Sequence, residues 1–548
     1  MAMDEEVATS ILKLVCDVAE DHNLVATLVH GSRVGGYARE DSLYDCVAIC
    51  EYPGGTRYHH ERLGGAGVAI LEIDNELFLL DVQKGALGEF VAGRMLFPYI
   101  GLKGTSYLME NEIEFKTRVV REETEDLIRQ FGEASRGLLI RPEYFALSRV
   151  LRKTKAYPPL RYSYLNTFCE NLRQRNMAKV MPGYNAAIRE LVEQGILDQT
   201  DEGVTVRDDF VDKVLARKNK DKVVNVVEVS KKALYSYVMH GRAGLVSPEM
   251  ISRELASKVR REFLLTGSTL QVEDPKEHLF FKALNRLVPV DERGNIRDII
   301  IKMRPNSKIA ISPLGGVLNE VYLVAADGER LVVKKFSDWH GFKWFTLNLV
   351  TLGTKVFSVS GKARLSNEFG MIHLLKKNGV NVPEILHISV PERVLVERYV
   401  EGESVTDVVR KTVGQEACPE DYCESIVRIG QSIGMIHSLG IQMGDSKPEN
   451  FLRAPTGPIY IIDLEQARKR GDFAWDIAEF LYYSAHYATT QTSNVRHLAE
   501  SFISGYLEKG DPINLRKAAG LNYLKVFSFW ALPQINYVVS ETLRKATQ

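Results

Sequence analysis

The spacing of apolar and polar positions changes along the chain, and each change predicts an element. The Leu/Val-rich stretch that ends at His30 reads as a strand. Leu77-Phe78-Leu79-Leu80 reads as a second strand, ended by Asp81. Residues from about 121 to 300 have a mainly helical pattern, in which Tyr184 to Leu197 form one helix followed by an Asp-Glu-Gly turn and the strand Val204-Thr205-Val206. From Ile311 to Phe336, short apolar runs broken by Gly315-Gly316 and Asp327-Gly328 predict strand, turn, strand, hairpin, strand. Phe369, Ile372 and Leu375 then fall on one helical stripe. Val394-Leu395-Val396 and the run Ile459-Tyr460-Ile461-Ile462 predict two further strands. The basic run Arg217 to Lys222 reads as a solvated boundary, and the polar turns from Glu273 to Arg304 as a linker. These changes divide the chain near 1–120, 121–300 and 301–548.

At 548 residues the chain is long enough for several cores, with roughly three or four domains at about 150 residues each. Its 45% apolar and 26% charged residues suit a soluble globular protein, and the net charge of -1 excludes a global basic field. Any nucleic-acid surface is therefore expected to be local. Six cysteines without CxxC pairing suggest free thiols in a reducing compartment. No apolar stretch reaches eighteen residues, and Asp4, Glu5 and Glu6 make the start too acidic for a signal peptide. The expectation is a cytoplasmic protein without a membrane partner.

Chemistry concentrates between Ile436 and Ala467. Asp445 is followed five residues later by Asn450, and Asp463 follows the β-branched run. That order suits phosphoryl transfer: Asp445 to orient the attacking hydroxyl, Asn450 to hold Mg²⁺, and Asp463 to bridge metal and phosphates. Taken alone, Asp445 to Asn450 also has the composition of a polar surface turn. The stretch resembles the protein-kinase superfamily, and Gly444 before the aspartate with Asp463-Leu464-Glu465-Gln466 after it resembles the RIO kinases and the kinase subunit of the KEOPS complex. That resemblance implies ATP and Mg²⁺ as nucleotide and metal, with Gly315 and Gly316 approaching the phosphates. It also implies Lys334 on the phosphates, although Lys335 is adjacent, with Glu368 as its ion-pair partner. Backbone groups near Glu397 to Tyr399 would carry the adenine, and Asp476 would brace the catalytic loop. His437 reads as a structural histidine, since the aspartate already fills the proton role. Only seventeen residues run from Asp463 to Phe480, too few for an extended peptide-docking segment.

A second motif, Gly31 to Asp45, follows the first strand and resembles the polymerase-β-type nucleotidyltransferase signature. Gly31 and Ser32 would cradle a triphosphate, and Asp45, with Asp81, would remain of the metal ligands. Leu43 stands where the first aspartate is expected, so the resemblance implies a binding module that has lost transfer activity. Farther on, Arg149, Arg152, Lys153, Lys155, Arg161, Arg173, Arg175 and Lys179 interleave with Tyr144, Tyr157, Tyr162 and Tyr164, a pattern that suits RNA and equally a solvated helix face. Tyr184 to Val206 resembles the helix and wing of a winged-helix module.

The expected architecture is multidomain α/β and α+β: a nucleotidyltransferase-like α/β domain, a helical and winged-helix middle, and a two-lobed protein-kinase-like domain. The expected function is ATP- and Mg²⁺-dependent phosphorylation of a hydroxyl, in the manner of an atypical Ser/Thr protein kinase. The alternatives are a kinase acting on a ribose hydroxyl of structured RNA such as tRNA, and an RNA-binding ATPase switch.

Overall fold

Alternating apolar residues build the first sheet. In a computed structural model, which describes residues 3–19, 23–51, 56–156, 160–217, 271–315, 319–338, 360–414, 420–488, 491–527 and 531–546, they form β1 (Asn23–His30), β2 (Tyr44–Glu51), β3 (Thr56–Leu63), β4 (Ala66–Asp74) and β5 (Ile100–Lys103). Their order is β3-β4-β2-β1-β5, with β2 and β4 parallel. The helix Glu5–Ala19 covers one face through Ile11 and Val15, packed with Val29, Ala48 and Ile70. Gly316, Tyr157 and residues 218–222 lie outside the described residues.

The chain separates into two compact units, 1–130 with 139–279, and 131–138 with 280–548. In the first, the long helices Thr105–Phe131 and Glu170–Glu193 accompany β6 (Leu138–Ile140), β7 (Leu197–Thr200) and β8 (Gly203–Val206). The β7–β8 hairpin turns at Thr200 and Gly203, and β8 pairs with β6. The helix, turn and strand Val204–Val206 read from the sequence are present, but the helix ends at Glu193 and Leu197 opens the additional strand β7.

In the second unit, β9 (Leu279–Ala283), β10 (Arg286–Pro289) and the helix Ile296–Met303 replace the expected linker. Leu279, Phe281, Val288, Ile299 and Ile300 are buried there, so the polar turns punctuate ordered elements. An antiparallel sheet follows, made of β11 (Ile309–Gly315), β12 (Glu320–Ala326), β13 (Glu329–Lys335), β14 (Ile385–Ser389) and β15 (Val394–Arg398), in the order β11-β12-β13-β15-β14. Asp327 and Gly328 turn the β12–β13 hairpin at φ 47° and 85°, the positive values a tight two-residue loop requires. Phe369, Ile372 and Leu375 are buried along the helix Gly361–Lys377, as their spacing predicts. The segment 131–138 packs on that helix: Ser366 Oγ donates to Phe131 O at 2.5 Å and accepts from Ala134 N at 3.0 Å. Farther on, the helices Glu420–Ser438 and Thr492–Tyr506 approach backbone to backbone, since a Cβ at Gly434 would lie 2.7 Å from Tyr506 O.

Several expectations are corrected. Leu77 to Leu80 is helix, part of Asn75–Lys84, because Asp74 caps its start by accepting from Glu76 N and Leu77 N, and Gly85 ends it at φ 62°. Asp81 lies fully buried in that helix, and its carboxylate accepts N–H bonds from Leu87, Glu89, Val91 and Ala92 at 2.9–3.0 Å. It therefore organises a loop and is not placed as a metal ligand on a strand. Within the Arg/Tyr-interleaved stretch, three of the basic residues are engaged by acids of the chain, while Lys155, Arg161 and Lys179 are exposed. Arg149 pairs with Glu89, and with Glu122 at 2.8 Å; Arg152 pairs with Glu123 and Asp126; Lys153 lies 2.9 Å from Glu89. Tyr144 and Tyr164 are buried. Burial pushes the Glu89 carboxyl up, but Arg149, Lys153 and Arg118 outweigh it and hold the group well below the usual carboxylate range. Cys423 is disulfide-bonded, against the expectation of free thiols throughout, whereas Cys16, Cys46, Cys50 and Cys169 are free.

Because Arg149 neutralises buried acids, Arg149→Ala is expected to cost about 3 kcal/mol of stability. A urea or thermal unfolding midpoint unchanged from wild type would overturn this network reading.

Candidate functional site

Strand alternation decides which lysine turns inward. On β13, Lys335 is 46% exposed and lies 3.9 Å from Glu320, whereas Lys334, one residue earlier, points to the opposite face and is largely buried. Lys334 Nζ donates to Glu368 Oε1 and to Ile462 O, both at 2.6 Å, and stands 3.2 Å from Glu397 Oε2. Glu368 also holds the far side, because its Oε2 accepts from Leu464 N at 2.7 Å. One cation thus joins β13, the helix Gly361–Lys377, β15 and the turn carrying Asp463.

A second buried pair lies one helical turn earlier. Arg364 Nη1 reaches Glu465 Oε2 at 3.0 Å and Asn319 Oδ1 at 2.6 Å, and Asn319 donates to the same Glu465 oxygen at 2.5 Å. The i, i+4 spacing puts Arg364 and Glu368 on one helix face. Neither Arg364 nor Glu465 was assigned a role from sequence, although that spacing signals one.

The loop bearing Asp445 is held from below. Asp476 is fully buried and accepts from Met443 N at 2.7 Å and Gly444 N at 2.9 Å. His437 stands between Asp476 Oδ2, at 3.1 Å, and the Tyr506 hydroxyl, at 2.9 Å, which is a structural placement. Gly444 has φ 77°, and a Cβ there would lie 2.7 Å from Gln466 O, so the glycine and the Asp-x-x-Gln segment fit each other. Asp445 Oδ1 lies 3.0 Å from Lys447 Nζ, a partner that sequence reasoning did not assign. Asn450 Nδ2 donates to Asp445 O at 2.9 Å, and Ile462 N donates to Asn450 O at 3.0 Å. Asp445, Asn450 and Asp463 are therefore on adjoining backbone. Asn450, with its amide nitrogen engaged, and Asp463 offer oxygen donors of the kind a hard cation takes.

Gly315 ends β11 at φ 124° with no atom within 4 Å of a Cβ built on it. The N–H groups of Arg398 and Tyr399 donate to Glu384 O at 2.9 Å and to Arg330 O at 3.2 Å. The Tyr399 ring carries the Arg330 guanidinium at 4.5 Å. Glu397 contributes its side chain, which the expected backbone contacts did not foresee; the charged position inside the run Val394 to Arg398 was the available signal.

Burial sets the electrostatics. It pushes Glu368, Glu397 and Asp463 up to about 7, with Lys334 opposing the rise in each. Glu465 and Asp445 add repulsion at Asp463, and Glu368 adds it at Glu397. For Lys334, burial lowers the value but Glu368, Glu397 and Asp463 together raise it above the ordinary lysine range.

The first unit holds the other motif. Gly31 has φ 84° and leads into the single turn Ser32–Gly35, while Asp45 is opposite His30 across β1 and β2. The Asp45 carboxylate rests against Gly31, in the space a Cβ would take, and Leu43 lies over Gly67. Among the described residues no group of three or more His, Cys, Asp or Glu is arranged to hold a metal ion. Asp81 is not brought to this motif.

No family model matches the chain. It is 30% identical over 103 residues to KEOPS complex subunit Bud32 of Pyrococcus abyssi (strain GE5 / Orsay), a match covering 19% of this chain and 44% of that protein. The chain thus spans under half the length of that curated relative, and the match supports an atypical kinase-like region. A solved Rv3197–erythromycin complex from Mycobacterium tuberculosis is 14% identical, covers 31% of this chain and 48% of its own, and has a TM-score of 0.22, too low to carry an argument. No helix among the described residues is long and apolar enough to cross a membrane.

The raised carboxyls make stability depend on pH. Their folded values lie above the ordinary carboxylate range, so the folded chain retains protons that the unfolded chain has released. That stabilisation is present below about pH 4 and is lost as pH rises through about 7. Glu397→Gln is therefore expected to flatten the decline in the unfolding midpoint between about pH 5 and 8, and parallel wild-type and variant profiles would refute it.

Proposed function

We propose that the second unit is an ATP- and Mg²⁺-dependent phosphotransferase acting on a hydroxyl. The observation that carries this reading is the Lys334–Glu368 pair, closed onto Ile462 and Leu464 on either side of Asp463. Lys334 would leave Ile462 or Glu397 to meet the phosphates, with Glu368 keeping it in place. Asn450 and Asp463 would hold Mg²⁺, which supplies charge neutralisation at the phosphate oxygens. Asp445 would orient the acceptor hydroxyl and accept its proton. Lys447, 3.0 Å from that carboxylate, fixes its direction and offsets its charge. Gly315, with Gly316 beyond it, would give backbone approach to the phosphates.

The acceptor proposed is a protein Ser/Thr hydroxyl. The RNA alternative loses its main support, since Arg149, Arg152 and Lys153 are spent on internal acids. For the first unit we propose binding without transfer: Leu43 offers no ligand, and Asp45 remains from the expected set.

With γ-labelled ATP and a Ser/Thr-rich acceptor protein, Asp445→Asn is expected to slow transfer by about 10²–10⁴-fold while Mg-ATP affinity stays near wild type. Asp463→Asn is expected to weaken Mg-ATP affinity itself. Undiminished transfer by either purified variant overturns the assignment. With α-labelled nucleoside triphosphates the full chain is expected to incorporate no nucleotide; incorporation that disappears in Asp45→Ala would show that the first unit is an active transferase.

A further inference from the structure

Glu397 is the one member of the lysine cluster whose presence phosphate chemistry does not explain. It lies on β15 opposite Val332, and its neighbour on the same face, Leu395, lies opposite Lys334. On β12 the residues opposite Lys334 and Val332 are Val321 and Leu323. Directly opposed side chains share a face, so Val321, Leu323, Val332, Leu395, Lys334 and Glu397 line the same side of the sheet. That face is apolar except at its lysine and at this one carboxylate.

Glu397 is 2% exposed, and its Oε1 is buried with no hydrogen-bond partner, while Oε2 faces Lys334. Leaving a charged acceptor unmet in such a place is costly, and a specific unmet group calls for a partner that the chain itself does not supply. The need grows when Lys334 turns to a phosphate, because Oε2 then loses its cation as well. Beside it, the N–H groups of Arg398 and Tyr399 are already committed to Glu384 and Arg330. What remains next to the apolar face is an acceptor wanting a donor.

We propose that the Glu397 side chain accepts a hydrogen bond from the exocyclic 6-amino group of the purine and thereby selects ATP over GTP. This rests on the nucleotide-binding reading above. Adenine presents N–H donors at that position, whereas guanine presents a carbonyl oxygen that a carboxylate repels. Val332 and Leu323 supply the apolar surface on which either ring would lie, so the selection falls to the carboxylate.

The test compares Mg²⁺ complexes of ATP, of purine riboside triphosphate, which lacks the 6-amino group, and of GTP, titrated calorimetrically into the full chain at about pH 8, where the carboxylate is ionised. Wild type is expected to bind ATP about 10- to 100-fold more tightly than the analogue lacking the amine, the range for a hydrogen bond to a charged group. Glu397→Leu is expected to bind the two alike. Glu397→Gln, nearly the same shape and so a guard against misfolding, is expected to narrow the gap between ATP and GTP, because its amide donates to a 6-oxo group. An ATP-to-analogue ratio in Glu397→Leu equal to wild type, or in Glu397→Gln an unchanged ATP-to-GTP ratio, overturns this inference and leaves the kinase reading standing. Failure of wild type to bind any of the three overturns both.

Discussion

The second unit depends on how a single buried ammonium is shared. Lys334 takes its three contacts from a helix, a turn and a neighbouring strand, so four pieces of backbone far apart in sequence are tied at one atom. Taking a lysine out of water costs several kcal/mol unless its charge is met, and here carboxylates outnumber it. Burial, helped by repulsion among the carboxylates, pushes Glu368, Glu397 and Asp463 up to about 7, so the cluster is receptive to a cation and to a proton alike. Arg364 and Glu465, one turn away, fix the same helix to the same segment independently.

The other half of the site follows from a steric constraint. Gly444 and Gln466 come within contact distance, which leaves no room for a side chain at 444. Asp476 then takes the two N–H groups that the sharp bend exposes, and Ser446 is fastened to Glu479 through both N and Oγ. Asp445 is aimed by its neighbours' backbone; its own side chain bends to Lys447.

What could be read from sequence was what depends on near neighbours. The Asp327-Gly328 hairpin and the stripe Phe369, Ile372, Leu375 follow from period and turn chemistry, and the structure agrees with both, whereas Lys334 and Lys335 are adjacent and only the strand register separates them. The failures have different causes. Arg149, Arg152 and Lys153 look like a basic patch until Glu89, Glu122 and Glu123 arrive from elsewhere in the chain, and no local pattern announces that. Leu77 to Leu80 is too short for periodicity to separate helix from strand, and the deciding signals were Asp74 and Gly85 at its ends. Glu397 was visible as a charge within an apolar strand, but its direction became meaningful only with the β13–β15 register.

The eight residues from Phe131 to Leu138 have a mechanical meaning. Gly370 meets the carbonyl of Glu133 and Gly137 meets the ring of Phe369, so at Gly370 helix and segment touch backbone to backbone. A single added methyl at Gly370 would act as a wedge, pushing the helix from its backstop and carrying with it Glu368, two residues away. The close approach at Gly370 leaves no slack on this side of the helix, so the geometry of the lysine site is set in part by a piece of chain encoded more than two hundred residues upstream.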